Sequence, residues 1–325
     1  KAEDDCFDHF IDLFKFEKKR NISKEDSFKI CQIIEKETGE IFTAQISMNE
    51  TNHISKEKMD NIIKEINIIS QLNHPTILKF IGFSPFNFKN EKKPVIIVEN
   101  ISNGTLAQIL EIERNKKNIS GWDSTKKLIN IYGIASGMAY LHSQNIIHCC
   151  LKPSNIYLDD FLLPKIGDFG LSTQFLNEEI VTHQSISGQK ATPIYLAPEV
   201  MEFNEFSKMS DVYAFAFVVY EILTNEKPFD EISNSNQIFN EVIANGRRPN
   251  IKANIPIIYR KLIETCWSQN PSERPTFDDI IFYLKEVKII MEQRYVIYFL
   301  CRKGFMTKDI KAELDGVYQH GALSL

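Results

Sequence analysis

The chain has 325 residues, 43% hydrophobic and 25% charged, with a formal net charge of −5. That length holds one two-lobed domain with short additions, or two ordinary domains, and the composition excludes a disordered or fibrous chain. The mild acidity leaves no electrostatic footprint for nucleic acid, and no apolar run approaches the roughly 18 residues of a membrane span. Six cysteines without a C-x-x-C pair argue for a reducing compartment and against structural disulfides or a cysteine zinc site. The opening Lys1-Ala2-Glu3-Asp4-Asp5 carries no signal-peptide pattern, so the expected location is intracellular and cytoplasmic.

In chain order, Phe7, Phe10, Ile11 and Phe14 recur at helical spacing, which predicts a helical N-terminal extension over residues 1–22. Residues 28–48 read as strands that turn at Thr38-Gly39-Glu40. Alternation along Ile41-Phe42-Thr43-Ala44-Gln45-Ile46-Ser47 puts Ala44 and Ile46 on one face. Residues 21–37 contain no glycine. A helix is expected around Glu65 to Ile69, and Val95 to Glu99 is a short, continuously apolar strand. Asn103-Gly104-Thr105-Leu106 opens a further helix. Leu128, Ile131, Ile134, Ala135, Met138 and Leu141 then mark a long one over residues 123–143. The last segment, 291–325, reads as two short helices with a turn at Gly304.

The most informative stretch is His148-Cys149-Cys150-Leu151-Lys152-Pro153-Ser154-Asn155, followed by Asp168-Phe169-Gly170. It resembles the catalytic loop, H-R-D-L-x-x-x-N, and the metal-binding D-F-G turn of protein kinases. Ala197-Pro198-Glu199 and Cys266-Trp267-Ser268-Gln269-Asn270-Pro271-Ser272-Glu273-Arg274-Pro275-Thr276-Phe277 extend the likeness. The second of these is similar to the ending found in tyrosine kinases and tyrosine-kinase-like kinases, and Lys152 tilts the match to the tyrosine-kinase-like, Ser/Thr-type branch. The resemblance implies an α+β, two-lobed fold with a small β-rich lobe and a large helical lobe. The kinase-like domain is then residues 23–290, with its lobes dividing near 101–102, and 291–325 is a tail that resembles part of the mariner-type transposase helix-turn-helix.

What the resemblance implies for the site is mixed. Asn155 and Asp168 match the metal ligands, and Lys152 matches the lysine that contacts the transferred phosphate. Val98 falls at the gatekeeper position and Glu99 opens the hinge. Glu199 and Arg274 match a structural ion pair, while Ile69, Phe80, His148, Phe169 and Asp211 match residues that tie the lobes together. The catalytic base slot holds Cys150, and its arginine neighbour is replaced by Cys149. Ala44 and Ile46 fall at the A-x-K positions of the third strand, leaving isoleucine in the lysine slot. Counting nineteen residues back from Glu65, the glutamate that should pair with that lysine, also reaches Ile46. Tyr157 sits where a smaller aliphatic residue usually lies beneath the adenine.

Phosphoryl transfer needs positioned phosphates, metal, and a group to orient the hydroxyl. With the base and lysine slots degenerate, the expected function is that of a pseudokinase. That is a kinase-fold scaffold or regulator in signalling, with protein partners such as an active kinase and with ATP and Mg binding in question. One alternative is an atypical active Ser/Thr kinase whose lysine comes from Lys29, as in the with-no-lysine kinases, since Ser27-Phe28-Lys29 aligns with the family's S-F-G. Another is a DNA-associated kinase–transposase fusion product acting through the tail, although the charge argues against nucleic acid.

Overall fold

The computed structural model describes residues 9–24, 28–48, 56–169, 172–174, 180–182, 192–232 and 234–286. The expected tail, 291–325, and Phe7 of the expected leading helix lie outside the described residues. The chain divides into two compact units, Lys1–Phe277 and Asp278–Leu325. All that follows on lobes and site belongs to the first.

Five strands build an antiparallel sheet: β1 (Phe16–Lys24), β2 (Phe28–Glu35), β3 (Ile41–Ser47), β4 (Phe80–Ser84) and β5 (Val95–Glu99). Their order across the sheet is β1-β2-β3-β5-β4. Helix α1 (Lys56–Ile69) lies between β3 and β4 in sequence. The period of two in each strand divides its side chains between two apolar clusters. Phe16, Cys31, Ile33, Phe42, Ala44, Ile46, Val95 and Ile97 form the outer one. Ile30, Ile96 and Val98 point the other way and join Ile62 and Ile66 of α1 with Leu78, Phe83, Ile101 and Tyr157 in the inner one. The sheet is therefore buried on both faces.

The leading segment forms no α-helix in its described part, where a 3-10 turn, Leu13–Lys15, is capped by Asp12. Ile11 donates its N–H to the Phe83 carbonyl at 2.8 Å, and Phe10 bridges and stacks on Phe83. Residues 9–11 thus run beside β4, where Gly82 leaves room for Ile11: a Cβ there would come within 2.9 Å of it. Phe14, which helical spacing would bury, is 86% exposed, whereas Phe16 is buried and begins β1. Pairing of Phe16 to Lys24 with β2 overrides the local period, so the sheet begins at residue 16 rather than 23.

The large lobe contains α2 (Leu106–Arg114), α3 (Ser124–Ser143), α4 (Pro198–Phe203), α5 (Lys208–Thr224), α6 (Ser235–Asn245) and α7 (Ile257–Cys266). Residues 277–286, which from 278 on belong to the second unit, are helical. Small ladders carry the functional loops. They are β6 (Ile146–Ile147) with β9 (Thr173–Gln174), β7 (Ile156–Leu158) with β8 (Pro164–Ile166), and β10 (Ile180–Thr182) with β11 (Glu205–Ser207). Helix α5 is the lobe's core. Ser207 caps it, with Ser210 completing the capping box, and every residue from Ser210 to Ile222 is buried. A helix apolar on all sides is a core helix. Among the described residues no helix is long and apolar enough to cross a membrane.

Arg274 fastens α4 to this core. Its guanidinium meets the Glu199 carboxylate through two bonds, 2.6 and 2.9 Å, and also donates to the carbonyls of Met209 and Ser268. It lies 5.0 Å from the centre of the Tyr213 ring, and its side chain is fully buried. Removing one partner of such a pair leaves a buried charge unmatched, at about 3–5 kcal/mol. Arg274→Met is therefore expected to lower the unfolding free energy by that amount in a urea titration, with Arg274→Lys intermediate because it loses the two-pronged geometry.

Candidate functional site

The loop after β6 hangs from one carboxylate. Asp211, in the first turn of α5, accepts the backbone N–H of His148 at 2.8 Å and of Cys149 at 2.9 Å, and its Oδ2 lies 2.9 Å from Nε2 of His142. Cys149 has φ of 63°, a left-handed conformation that costs a non-glycine residue on the order of 1–2 kcal/mol. Two charge-assisted bonds to adjacent N–H groups hold it there.

His148 is fully buried and its tautomer is dictated by its neighbours. Nδ1 accepts the N–H of Cys150 at 3.2 Å, so the proton sits on Nε2, which donates to the Gly167 carbonyl at 3.1 Å. Burial holds the imidazole below its ordinary value of 6.5, against the opposing pull of Asp211. Its ring centre is 5.3 Å from that of Phe169. Asp168 has φ of 62°, a second left-handed residue of the site, and its charge also opposes the lowering of His148.

Asn155, itself buried, turns its amide nitrogen onto Cys150. It donates to the backbone carbonyl at 2.8 Å and contacts Sγ at 3.3 Å. Lys152 Nζ lies 3.4 Å from the Thr192 hydroxyl. Asn155 and Asp168 provide one amide and one carboxylate oxygen, donor types that suit magnesium. Among the described residues no group of three or more His, Cys, Asp or Glu could hold a metal ion.

The cleft between the lobes corrects the phase of β3. Ala44 and Ile46 belong to the outer cluster, away from α1 and β7. The residues that face the cleft are Thr43, whose hydroxyl accepts the Ile101 N–H at 3.0 Å, and Gln45, whose amide donates to the Tyr157 hydroxyl at 3.4 Å. Gln45 thus holds the position assigned to Ile46, and Thr43 that assigned to Ala44. Lys29 is paired directly opposite Ile46, and Ile30 opposite Gln45. Directly paired residues share a face, so Lys29 points to the outer side. There, together with Lys18, it opposes the burial that pushes the Cys31 thiol up. It does not supply a cation to the cleft.

The remaining expected residues are placed as follows. Glu65 is buried on α1 beside Ile66, and Ile69 closes the same helix, also buried. Val98 is in the inner cluster, with Phe80 packed against it. Glu99 pairs with Lys165 of β8 at 2.9 Å and accepts the Lys79 N–H at 2.8 Å, so it joins the lobes. Tyr157 is 4% exposed. Its ring lies against Gly167, where a Cβ would stand 2.8 Å from the tyrosine Cε2 and 3.0 Å from Leu78. The ring packs in the inner cluster below β3 and β5. Sequence reasoning missed Gln45, Thr43 and Gly167. The polar set Thr43, Gln45, Ser47 within an otherwise apolar strand was the available signal.

Residues 29–284 match the family of protein tyrosine and serine/threonine kinases. The chain belongs to the protein kinase family. The dual specificity protein kinase shkD of Dictyostelium discoideum is 32% identical over 237 residues, 73% of this chain and 30% of that protein. The dual specificity protein kinase shkC of the same organism is 33% identical over 228 residues, 70% of this chain and 43% of its own length. A putative serine/threonine-protein kinase/receptor of Acanthamoeba polyphaga mimivirus, R818, is 32% identical over 72% of the chain and 13% of the viral protein. The chain therefore spans less than half the length of each of these relatives.

Two outcomes follow from this kinase site. Gly167→Ala places a methyl group against two packed side chains and is expected to cost about 1–3 kcal/mol of stability. The loss should be largely relieved in the Gly167→Ala/Tyr157→Leu double variant, read by urea denaturation. Because the folded state disfavours protonated His148, the unfolded chain binds more protons at acidic pH. Stability should thus decline as pH falls through about 6.5 and below. His74, also held low by burial and by Lys165, acts in the same direction. His148→Asn should make the slope of stability against pH shallower.

Proposed function

We propose that this kinase-family chain is a pseudokinase: a kinase-fold module of signalling that engages protein partners and does not transfer phosphate. The observation that carries the reading is the pair of cleft positions where the chemistry needs a cation and a carboxylate. Gln45 stands at the first and Cys150 at the second. A neutral amide cannot take up the charge that builds on a transferring phosphoryl group. A thiol is mostly protonated near neutral pH unless a cation activates it, and the neighbouring slot is Cys149. A positioned base contributes about 10²–10⁴ in rate. With a comparable factor for the cation, the missing stabilisation is on the order of 6–10 kcal/mol.

The rest of the reading follows from this. A fold kept by Asp211, Arg274 and the two apolar clusters, without its chemistry, serves by presenting surfaces. The partners are proteins, an active kinase among them, and the setting is intracellular. Lys152 and the Cys266–Phe277 segment support a place in the tyrosine-kinase-like branch. The relatives' names, which describe protein kinases, favour a second reading, an active enzyme of this family. Lys152, Asn155 and Asp168 are the residues it would use.

Phosphate transfer from labelled ATP, to the chain itself and to a generic protein substrate, decides between the two. The expected result is incorporation no higher than that of Asp168→Ala. Turnover that Asp168→Ala abolishes would falsify the pseudokinase reading.

A further inference from the structure

We infer that Tyr157 is a built-in occupant of the inter-lobe cleft, lying where the planar base of a nucleotide would lie and holding the lobes together without a ligand. The inference deepens the pseudokinase reading and rests on it only for the choice of ligand. It stands on three features of the cleft, of which only the Gln45 contact is shared with that reading.

The first is membership. The inner cluster draws Ile30 from β2, Ile96 and Val98 from β5, Ile62 and Ile66 from α1, and Leu78, Phe83 and Ile101 from the connections and strand around them. Among the described residues of that cluster, Tyr157 alone comes from the large lobe. A flat six-membered ring thus completes a small-lobe core from below, packed against the strands that roof the cleft.

The second is fit. The ring uses space that Gly167 leaves open, since any side chain there would meet Tyr157 Cε2 at 2.8 Å and Cδ2 at 3.1 Å. At the far end the hydroxyl lies 3.4 Å from the Gln45 amide, so the ring spans from β8's exit to the middle of β3. A phenol carried into an apolar cluster needs a polar partner for its oxygen, and Gln45 supplies one where a lysine would have faced a phosphate. The two substitutions therefore complement one another.

The third is immobility. Tyr157 is paired with Lys165 in the β7–β8 ladder and with Thr105 across an isolated bridge. Its neighbour Leu158 donates to the Gly104 carbonyl at 2.9 Å. With backbone partners on both sides, the residue cannot leave the cleft by a shift of its own strand. Only rotation about its side-chain bonds remains, and the surrounding core side chains oppose that.

The test is a thermal-shift titration of the full chain with ATP, with and without magnesium, on the unaltered protein, Tyr157→Leu and Tyr157→Phe. The expected pattern is no shift for the unaltered protein or Tyr157→Phe, both of which keep the ring, and a saturable shift for Tyr157→Leu. In the absence of nucleotide, Tyr157→Leu should also melt at a lower temperature than Tyr157→Phe. A saturable shift of the unaltered protein overturns the inference. So does a folded Tyr157→Leu that ignores ATP, because another group would then be closing the cleft. Should Tyr157→Leu not fold, Tyr157→Met, whose unbranched chain adapts to gaps, replaces it under the same criteria. ATP binding by the unaltered protein without phosphate transfer would overturn this inference and leave the pseudokinase reading standing. Transfer would sink that reading itself.

Discussion

The site depends on the Asp211 carboxylate and the two successive N–H groups it holds. This contact anchors the turn from β6 into the loop, with the Ser172 hydroxyl on the His148 carbonyl as a further tie. It fixes Cys149 in a left-handed conformation, which aims the next residues back toward β7, and it orients His148 so that its ring bridges to Gly167. The carboxylate can do this only because α5 is buried on all sides and rigid, so the strain of the turn is matched by charge-assisted bonds worth about 1.5–3 kcal/mol each. None of these contacts involves the side chains of Cys149 or Cys150. The path of the loop is thus set largely by backbone groups and Asp211.

The same separation holds in the small lobe. Its sheet is stabilised by two apolar clusters, one on each face, and Gln45 is a guest in the inner one. Burial of a large side chain contributes about 1.5–3 kcal/mol, whereas a neutral hydrogen bond as long as that between Gln45 and Tyr157 contributes at the low end of about 0.5–1.5 kcal/mol. The ring's packing, more than its hydroxyl, is what joins β7 to the sheet. Glu99 and Lys165 add an ion pair at the edge of the same seam. The lobes are thus connected by contacts that belong to the chain itself.

Much of this was legible in the sequence, and the failures have a common cause. The motifs from His148 to Phe277 mark the large lobe because they need particular residues at fixed spacing: a carboxylate at Asp211, an arginine at Arg274. The small lobe gave a wrong answer at β3 because period-two alternation identifies two faces without saying which is inner. Where one face is wet the polar residues decide, but this sheet is covered on both sides. The apolar pair Ala44 and Ile46 faced the outer cluster, and the polar set faced the cleft. The leading helix failed similarly. Helical spacing of Phe10, Ile11 and Phe14 described one possible face, and the backbone hydrogen-bonding edge of β4 offered residues 9–11 a better one.

Gly167 was invisible for another reason. Nothing in a sequence marks a glycine as the complement of a tyrosine ten residues earlier; only the β7–β8 hairpin brings them together. Once they are side by side, the small residue and the large one make a single feature, and Gln45 makes the third part of it. Each of the three departs little from what its own element tolerates: a glycine after a short strand, an aromatic in a strand, a polar residue in a covered sheet. Their common location gives them meaning. The glycine makes room for the ring and the amide meets its hydroxyl, so the three positions form one packed unit between β3 and β8.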